Sequence, residues 1–123
     1  MFEVEFGNLA FNIENSEQAL CIVVAGKNEA SALDDFIHKA LDYLKNSDLF
    51  FDEADEYRNC VFADAIESDV KWLYQIIEGM NRKVSFVIDK PIKIMTGTMT
   101  VFDAAWAIET KDLFYYICWY TTA

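Results

Sequence analysis

Apolar and polar residues alternate along the first part of the chain. In residues 2–6 and again in residues 9–13, every second side chain is apolar, and Gly7 and Asn8 separate the two runs. Alternation with a period of two is typical of strands that bury one face. A glycine at the first position of a two-residue loop suits the type II′ turn of a tight hairpin. The pattern therefore predicts an N-terminal β-hairpin.

Two later segments, residues 19–25 and 113–120, are apolar at nearly every position. Continuous apolar runs of this length predict strands in the middle of a sheet, with both faces covered. Three further segments complete the set: residues 84–88 and 92–102 as strands, and residues 103–109 as either a short helix or an edge strand. Gly97 lies inside one of these strands and predicts a bend or bulge there.

Two helices are predicted between the strands. From Leu33 to Leu44, apolar residues recur at the three- and four-residue spacing of an amphipathic helix, and Asn28 is its candidate N-cap. A second helix follows Ser68, which is a suitable N-cap, and Gly79 lies where a C-terminal cap falls. Residues 48–65 lie between the two helices, and their pattern fits either helix or strand.

Strands grouped at both ends of the chain, with helices between them, predict an α+β fold. We expect an antiparallel or mixed sheet of about six strands in the order βββ-α-α-βββ. Two or three helices pack on it, on one face. The chain has 123 residues, which fits a single domain over residues 1–123.

The charge of the chain is strongly negative and unevenly distributed. Asp and Glu number 21 against 10 Lys and Arg, a net charge of −11. Residues 1–70 hold 16 acids and 4 bases, whereas residues 71–123 hold 5 acids and 6 bases. A field of this sign repels nucleic-acid phosphates and anionic membranes and attracts cationic proteins. We therefore expect a basic protein partner, and neither nucleic acid nor a membrane.

The acidic side chains are densest in residues 48–69, where eight acids face one base, Arg58. Acids that steer a basic partner around aromatic anchors are typical of a binding surface. The candidate partner-binding residues are Asp52, Glu53, Asp55, Glu56, Tyr57, Asp64, Glu67 and Asp69. A solvated acidic loop explains the same composition, and for Phe50 and Phe62 core packing is the simpler explanation. The twelve-residue calcium-loop pattern is absent from this stretch.

Few residues suggest catalysis, and we expect no catalytic, cofactor or metal site. The single histidine, His38, lies on the flank of the first predicted helix, one turn from Asp34 and Asp42, which is typical of a surface charge network. The three cysteines have apolar neighbours and no CxxC spacing: Cys21, Cys60 and Cys118. Such cysteines, together with an N-terminus that has no basic region, predict a reduced, cytoplasmic protein without a secretory signal.

Aromatic residues support an alternative function. A small-molecule-binding or enzymatic α+β domain would need an apolar pocket between sheet and helices. The candidate lining residues are Trp72, Tyr74, Trp106, Tyr116 and Trp119. Lysines and Arg82 near the aromatic strand at residues 113–120 also suggest stacking on single-stranded nucleic acid, which the negative field of the chain opposes.

Size, acidity and the lack of a catalytic motif together resemble the immunity proteins of bacterial toxin systems, such as contact-dependent growth inhibition. The resemblance covers the whole chain and is carried by its size and charge profile. It implies a small cytosolic protein that neutralises a cognate toxin domain, often a basic nuclease. Neutralisation would come from occluding the active site of the toxin or a nearby surface.

Overall fold

The computed structural model of the protein describes residues 2–6, 18–45, 61–80, 88, 90–97 and 103–121. Several predicted features lie outside this part of the chain: the second hairpin strand at residues 9–13 with its Gly7 turn, most of the strand at residues 84–88, and residues 98–102. The first predicted strand is present as β1 (Phe2–Phe6), and it pairs antiparallel with β2 (Gln18–Gly26).

One antiparallel sheet organises the described residues. Besides β1 and β2, its strands are β3 (Ala63–Asp64), β4 (Lys93–Thr96), β5 (Asp103–Glu109) and β6 (Leu113–Thr121). The order across the sheet is β1-β2-β6-β5-β4-β3, and every neighbouring pair is antiparallel. The two continuous apolar runs, β2 and β6, lie side by side in its interior, as their pattern predicts.

The two helices, α1 (Leu33–Lys45) and α2 (Glu67–Met80), lie on opposite faces of this sheet. The prediction that both pack on one face is therefore wrong. Successive side chains of a strand point to opposite faces, and on β2 both sets are apolar. Cys21, Val23 and Ala25 pack with α1 in what we term the α1 layer. Leu20, Ile22 and Val24 pack with α2 in the α2 layer.

The order of elements also differs from the prediction. The α+β class, with one antiparallel sheet and two helices, is confirmed, but β3 lies between the helices. The described elements therefore run β-β-α-β-α-β-β-β. Residues 103–109 form a strand and not a helix. This strand, β5, is not at the edge: it lies between β6 and β4, and its five middle residues are buried.

The first helix begins later than its candidate cap. Asn28 lies in a short 3-10 turn at Lys27–Glu29, and α1 starts only at Leu33. The Asp35 side chain explains this start, since its carboxylate accepts a hydrogen bond of 2.9 Å from the Ser31 N–H just before the helix. Such a bond satisfies a donor that has no partner within the helix.

Lys27 fastens the end of β2 to the turn between β5 and β6. Its ammonium group donates hydrogen bonds to the Glu109 carboxylate and, at 3.1 Å, to the Thr110 carbonyl oxygen. The same group lies 4.6 Å from the centre of the Phe114 ring. Within the described residues, no helix is long and apolar enough to cross a membrane.

Candidate interaction surface

The structure describes three of the eight predicted partner-binding residues. Asp64, Glu67 and Asp69 lie where β3 passes into α2. The other five lie outside the described residues: Asp52, Glu53, Asp55, Glu56 and Tyr57.

A tight connection places these acids at one corner of the sheet. The Ala65 N–H donates to the Ile94 carbonyl oxygen at 3.0 Å, which extends the pairing of β3 with β4. One residue further along the chain, the carbonyl oxygen of Ile66 accepts hydrogen bonds from the N–H groups of Asp69 and Val70, each at 3.1 Å. The helix thus begins directly after the strand, and the acids of its first turn follow β3 closely.

Asp64 and Glu67 are free to meet a partner. Their side chains are 83 % and 86 % exposed. The carboxylate of Asp64 lies 4.0 Å from the Lys93 ammonium, and that of Glu67 lies 3.5 Å from the Lys71 ammonium. Ion pairs this exposed contribute about 0–1 kcal/mol. A basic partner can therefore replace either lysine at little cost.

Asp69 has a structural role that the sequence does not indicate. Its backbone carbonyl accepts a 3.1 Å hydrogen bond from the indole N–H of Trp106, which is fully buried in β5. This bond fixes the first turn of α2 against the sheet. Asp69 is also less exposed than Asp64 or Glu67.

Three large apolar side chains flank the ends of β3 and β4 and are open to solvent. Val61, just before β3, is 86 % exposed; Ile66, just after it, is 64 % exposed; and Ile92, just before β4, is 65 % exposed. Together with Asp64 and Glu67 they form what we call the β3 edge surface. Sequence reasoning missed these apolar residues. No local signal in the sequence marks them as exposed, since Val61 stands directly beside Phe62, whose ring packs against the core.

Phe62 is the exception on this edge, because its ring points inward. It packs against the α1 layer, with its centre 6.2 Å from that of the Tyr116 ring. The expectation that Phe62 belongs to the core is confirmed. Its inward contact holds β3 in place while Val61 and Ala63 on either side remain exposed.

Of the five aromatic residues of the alternative function, the structure brings together only the three tryptophans. Trp72 packs edge-to-face against Trp106 and Trp119, with ring centres 5.7 and 5.5 Å apart, in the α2 layer. Tyr116 lies in the α1 layer across the sheet, and Tyr74 is exposed. Because the sheet separates them, these side chains do not line one pocket.

Chemistry-bearing residues elsewhere in the described chain remain dispersed. No three His, Cys, Asp or Glu side chains there form a group that could hold a metal ion. His38 is exposed on α1. Cys21 and Cys118 are buried and directly opposite each other on β2 and β6, and Cys60 lies outside the described residues.

No family model, curated protein or solved structure matches the chain.

Proposed function

We propose that this chain is an immunity protein that binds a basic toxin domain in the cytoplasm and neutralises it. Occlusion of the active site of the toxin, or of a nearby surface, would block its action. The observation that supports this proposal is the β3 edge surface. There the exposed carboxylates of Asp64 and Glu67 lie beside exposed Val61 and Ile66, next to the most acidic segment of the sequence.

Acidic and apolar groups contribute differently to such a complex. The acids raise the association rate by long-range attraction of a cationic domain. Exposed apolar side chains give close, water-excluding contacts, which slow dissociation. An acid that becomes buried against a Lys or Arg of the toxin costs about 2–5 kcal/mol when it is removed, whereas an acid at the rim costs little.

A small-molecule-binding or enzymatic domain is the alternative function. It needs a shared cavity for its aromatic residues, and the division of Trp106 and Tyr116 between opposite faces of the sheet gives it no support. Binding of nucleic acid is equally disfavoured by a net charge of −11.

Co-expression tests the proposed function. The chain should restore growth when it is expressed with the toxin encoded by the adjacent open reading frame, and the two purified proteins should form a complex. Reversing Asp52, Glu53, Asp55 and Glu56 together to lysine should abolish both effects, because repulsion then replaces attraction.

Circular dichroism of the quadruple variant establishes that it is folded. A folded quadruple variant that binds and protects like the wild type, with the same salt dependence, would place the interface elsewhere. Absence of growth protection by the wild-type chain would contradict the function itself.

A further inference from the structure

We propose that the β3 edge binds an extended basic segment of the partner as an additional strand of the sheet. The basic character of that partner rests on the proposed function, whereas the mode of binding rests on the geometry of β3. Strand addition supplies affinity through main-chain hydrogen bonds and specificity through alternate side chains.

The hydrogen-bond pattern of β3 shows which backbone groups face outward. Ala65 donates its N–H to Ile94 of β4, and Asp64 is paired in register with Met95. In an antiparallel ladder, residues that exchange hydrogen bonds with the neighbouring strand alternate with residues whose N–H and C=O point the other way. Asp64 therefore directs its backbone groups away from β4. Since β3 is the outermost strand on this side of the described sheet, those groups point to the open edge.

Side chains along this edge favour a particular kind of strand. Both residues of β3 are exposed, and Val61 and Ile66 stand at its two ends with Asp64 between them. An incoming strand that alternates basic and apolar residues would place the bases near Asp64 and Glu67. Its apolar side chains would lie on the opposite face, where they would cover Val61, because successive side chains of a strand alternate between faces.

Charge argues against a second copy of this chain as the occupant. Two-fold antiparallel pairing of β3 with its own copy brings the two Asp64 carboxylates together, and each chain carries a net charge of −11. Like charges opposite one another destabilise strand pairs. A basic segment turns the same arrangement into attraction, and it also pairs an edge that no other described strand covers.

A peptide probe tests this inference without the toxin. The probe is a blocked peptide of about eight residues that alternates lysine and valine, a length typical of a strand. Titration followed by amide NMR should shift the Asp64 resonance most strongly and slow hydrogen exchange of its N–H. The corresponding glutamate–valine peptide should not bind.

Two matched controls isolate the mode of binding. A lysine–valine peptide that is N-methylated at every residue keeps its charge and side chains but cannot donate a backbone hydrogen bond along either edge, and it should not bind. Val61→Lys should weaken binding about tenfold or more. Tyr43→Lys makes the same change in charge at an exposed apolar residue of α1 and should leave binding close to that of the wild type.

Three results would overturn the inference. These are equal binding of the N-methylated peptide, amide shifts centred away from β3, and a dimer of the chain in light scattering whose formation shifts the Asp64 amide resonance. If a toxin is neutralised while the peptide fails, strand addition is wrong and the proposed function stands. If the peptide binds at β3 but no toxin is neutralised, the function is wrong and the edge remains a binding site.

Discussion

Gly97 lies directly after β4, opposite Phe62, and the two are matched in shape. A Cβ added at Gly97 would lie 3.0 to 3.3 Å from three atoms of the Phe62 ring. The sequence predicts a bend or bulge at this glycine, whereas the structure gives a different reason for it. The ring of Phe62 covers the bare backbone, which is a known way of compensating for glycine in a sheet.

We expect Gly97→Ala to lower the free energy of unfolding by about 1–3 kcal/mol, because the added Cβ displaces the Phe62 ring from its packing against the α1 layer. Chemical denaturation measures the effect. Gly26→Ala is the matched control: its added Cβ meets only the flexible side-chain oxygen of Asn28, at 2.9 Å. Equal stability of the two variants would mean that Phe62 does not hold the β3 edge in place.

Asp35 makes the stability of α1 depend on pH. The backbone hydrogen bond from Ser31, and then that from Lys39, hold the pKa of this carboxyl below its ordinary value of 3.8. A pKa that folding lowers means that the ionised group stabilises the native state. This contribution is complete above the unfolded pKa of about 4 and is lost as the pH falls through the folded value.

Asp35→Asn should therefore lower the melting temperature near neutral pH, and the difference from wild type should shrink as the pH falls below 3.8. Thermal unfolding across the acid range measures this. Asp34→Asn removes the same charge from the same helical turn and serves as the control. A difference for Asp35→Asn that stays constant with pH would contradict the electrostatic explanation.

At the scale of elements, one hydrogen bond joins the first turn of α2 to the sheet, in addition to the apolar contacts of the α2 layer. The buried indole of Trp106 donates to the carbonyl of Asp69. Trp106→Phe removes this donor and leaves a cavity, so we expect a loss of about 2–4 kcal/mol in denaturation experiments. Hydrogen exchange in the first turn of α2 should increase at the same time. Trp72→Phe, at a less buried position, should lower the free energy of unfolding by less. An equal loss would argue against a stabilising role of the hydrogen bond from Trp106 to Asp69.

The elements that could be predicted are those whose patterns are local. The spacing from Leu33 to Leu44 indicates α1 directly, and continuous apolar runs indicate β2 and β6. By contrast, β3 has two residues and no periodicity, so only its pairing with Thr96 and Met95 defines it. The two apolar faces of β2 are consistent with a helix on each side of the sheet. The order of elements along the chain instead predicted both helices on one face.

The candidate site divides in the same way. The density of acids in the sequence selects Asp64 and Glu67 as candidate partner-binding residues, because the charge of a carboxylate can be read from the sequence without knowledge of the fold. The exposure of Val61 and Ile66 depends on which parts of the chain cover them, and no local pattern specifies that. Asp69 was selected for its charge, yet its described contact is made by its backbone.

At the scale of the whole molecule, charge should govern the rate of association. With a net charge of −11, attraction of a basic domain extends over a Debye length of about 8 Å at physiological salt. Stopped-flow measurements should show an association rate that falls steeply with salt and a dissociation rate that changes less. Reversing Asp64 and Glu67 to lysine should flatten the salt dependence more than reversing Glu78 and Asp112, two exposed acids elsewhere. Equal flattening would mean that net charge alone matters.

The pairing of β2 with β6 sets the time at which this protein can fold. Gln18 pairs with Thr121 and Gly26 with Leu113, so the sheet joins segments that are far apart in the sequence. At about 5–20 residues per second, a ribosome completes β6 roughly 5–20 s after β2. Throughout that interval the apolar strand β2 lacks β6, its neighbour in the interior of the sheet. Contacts between segments this distant in sequence also form slowly. Until β6 emerges, the apolar residues of β2 that it covers stay exposed on the nascent chain, which favours aggregation.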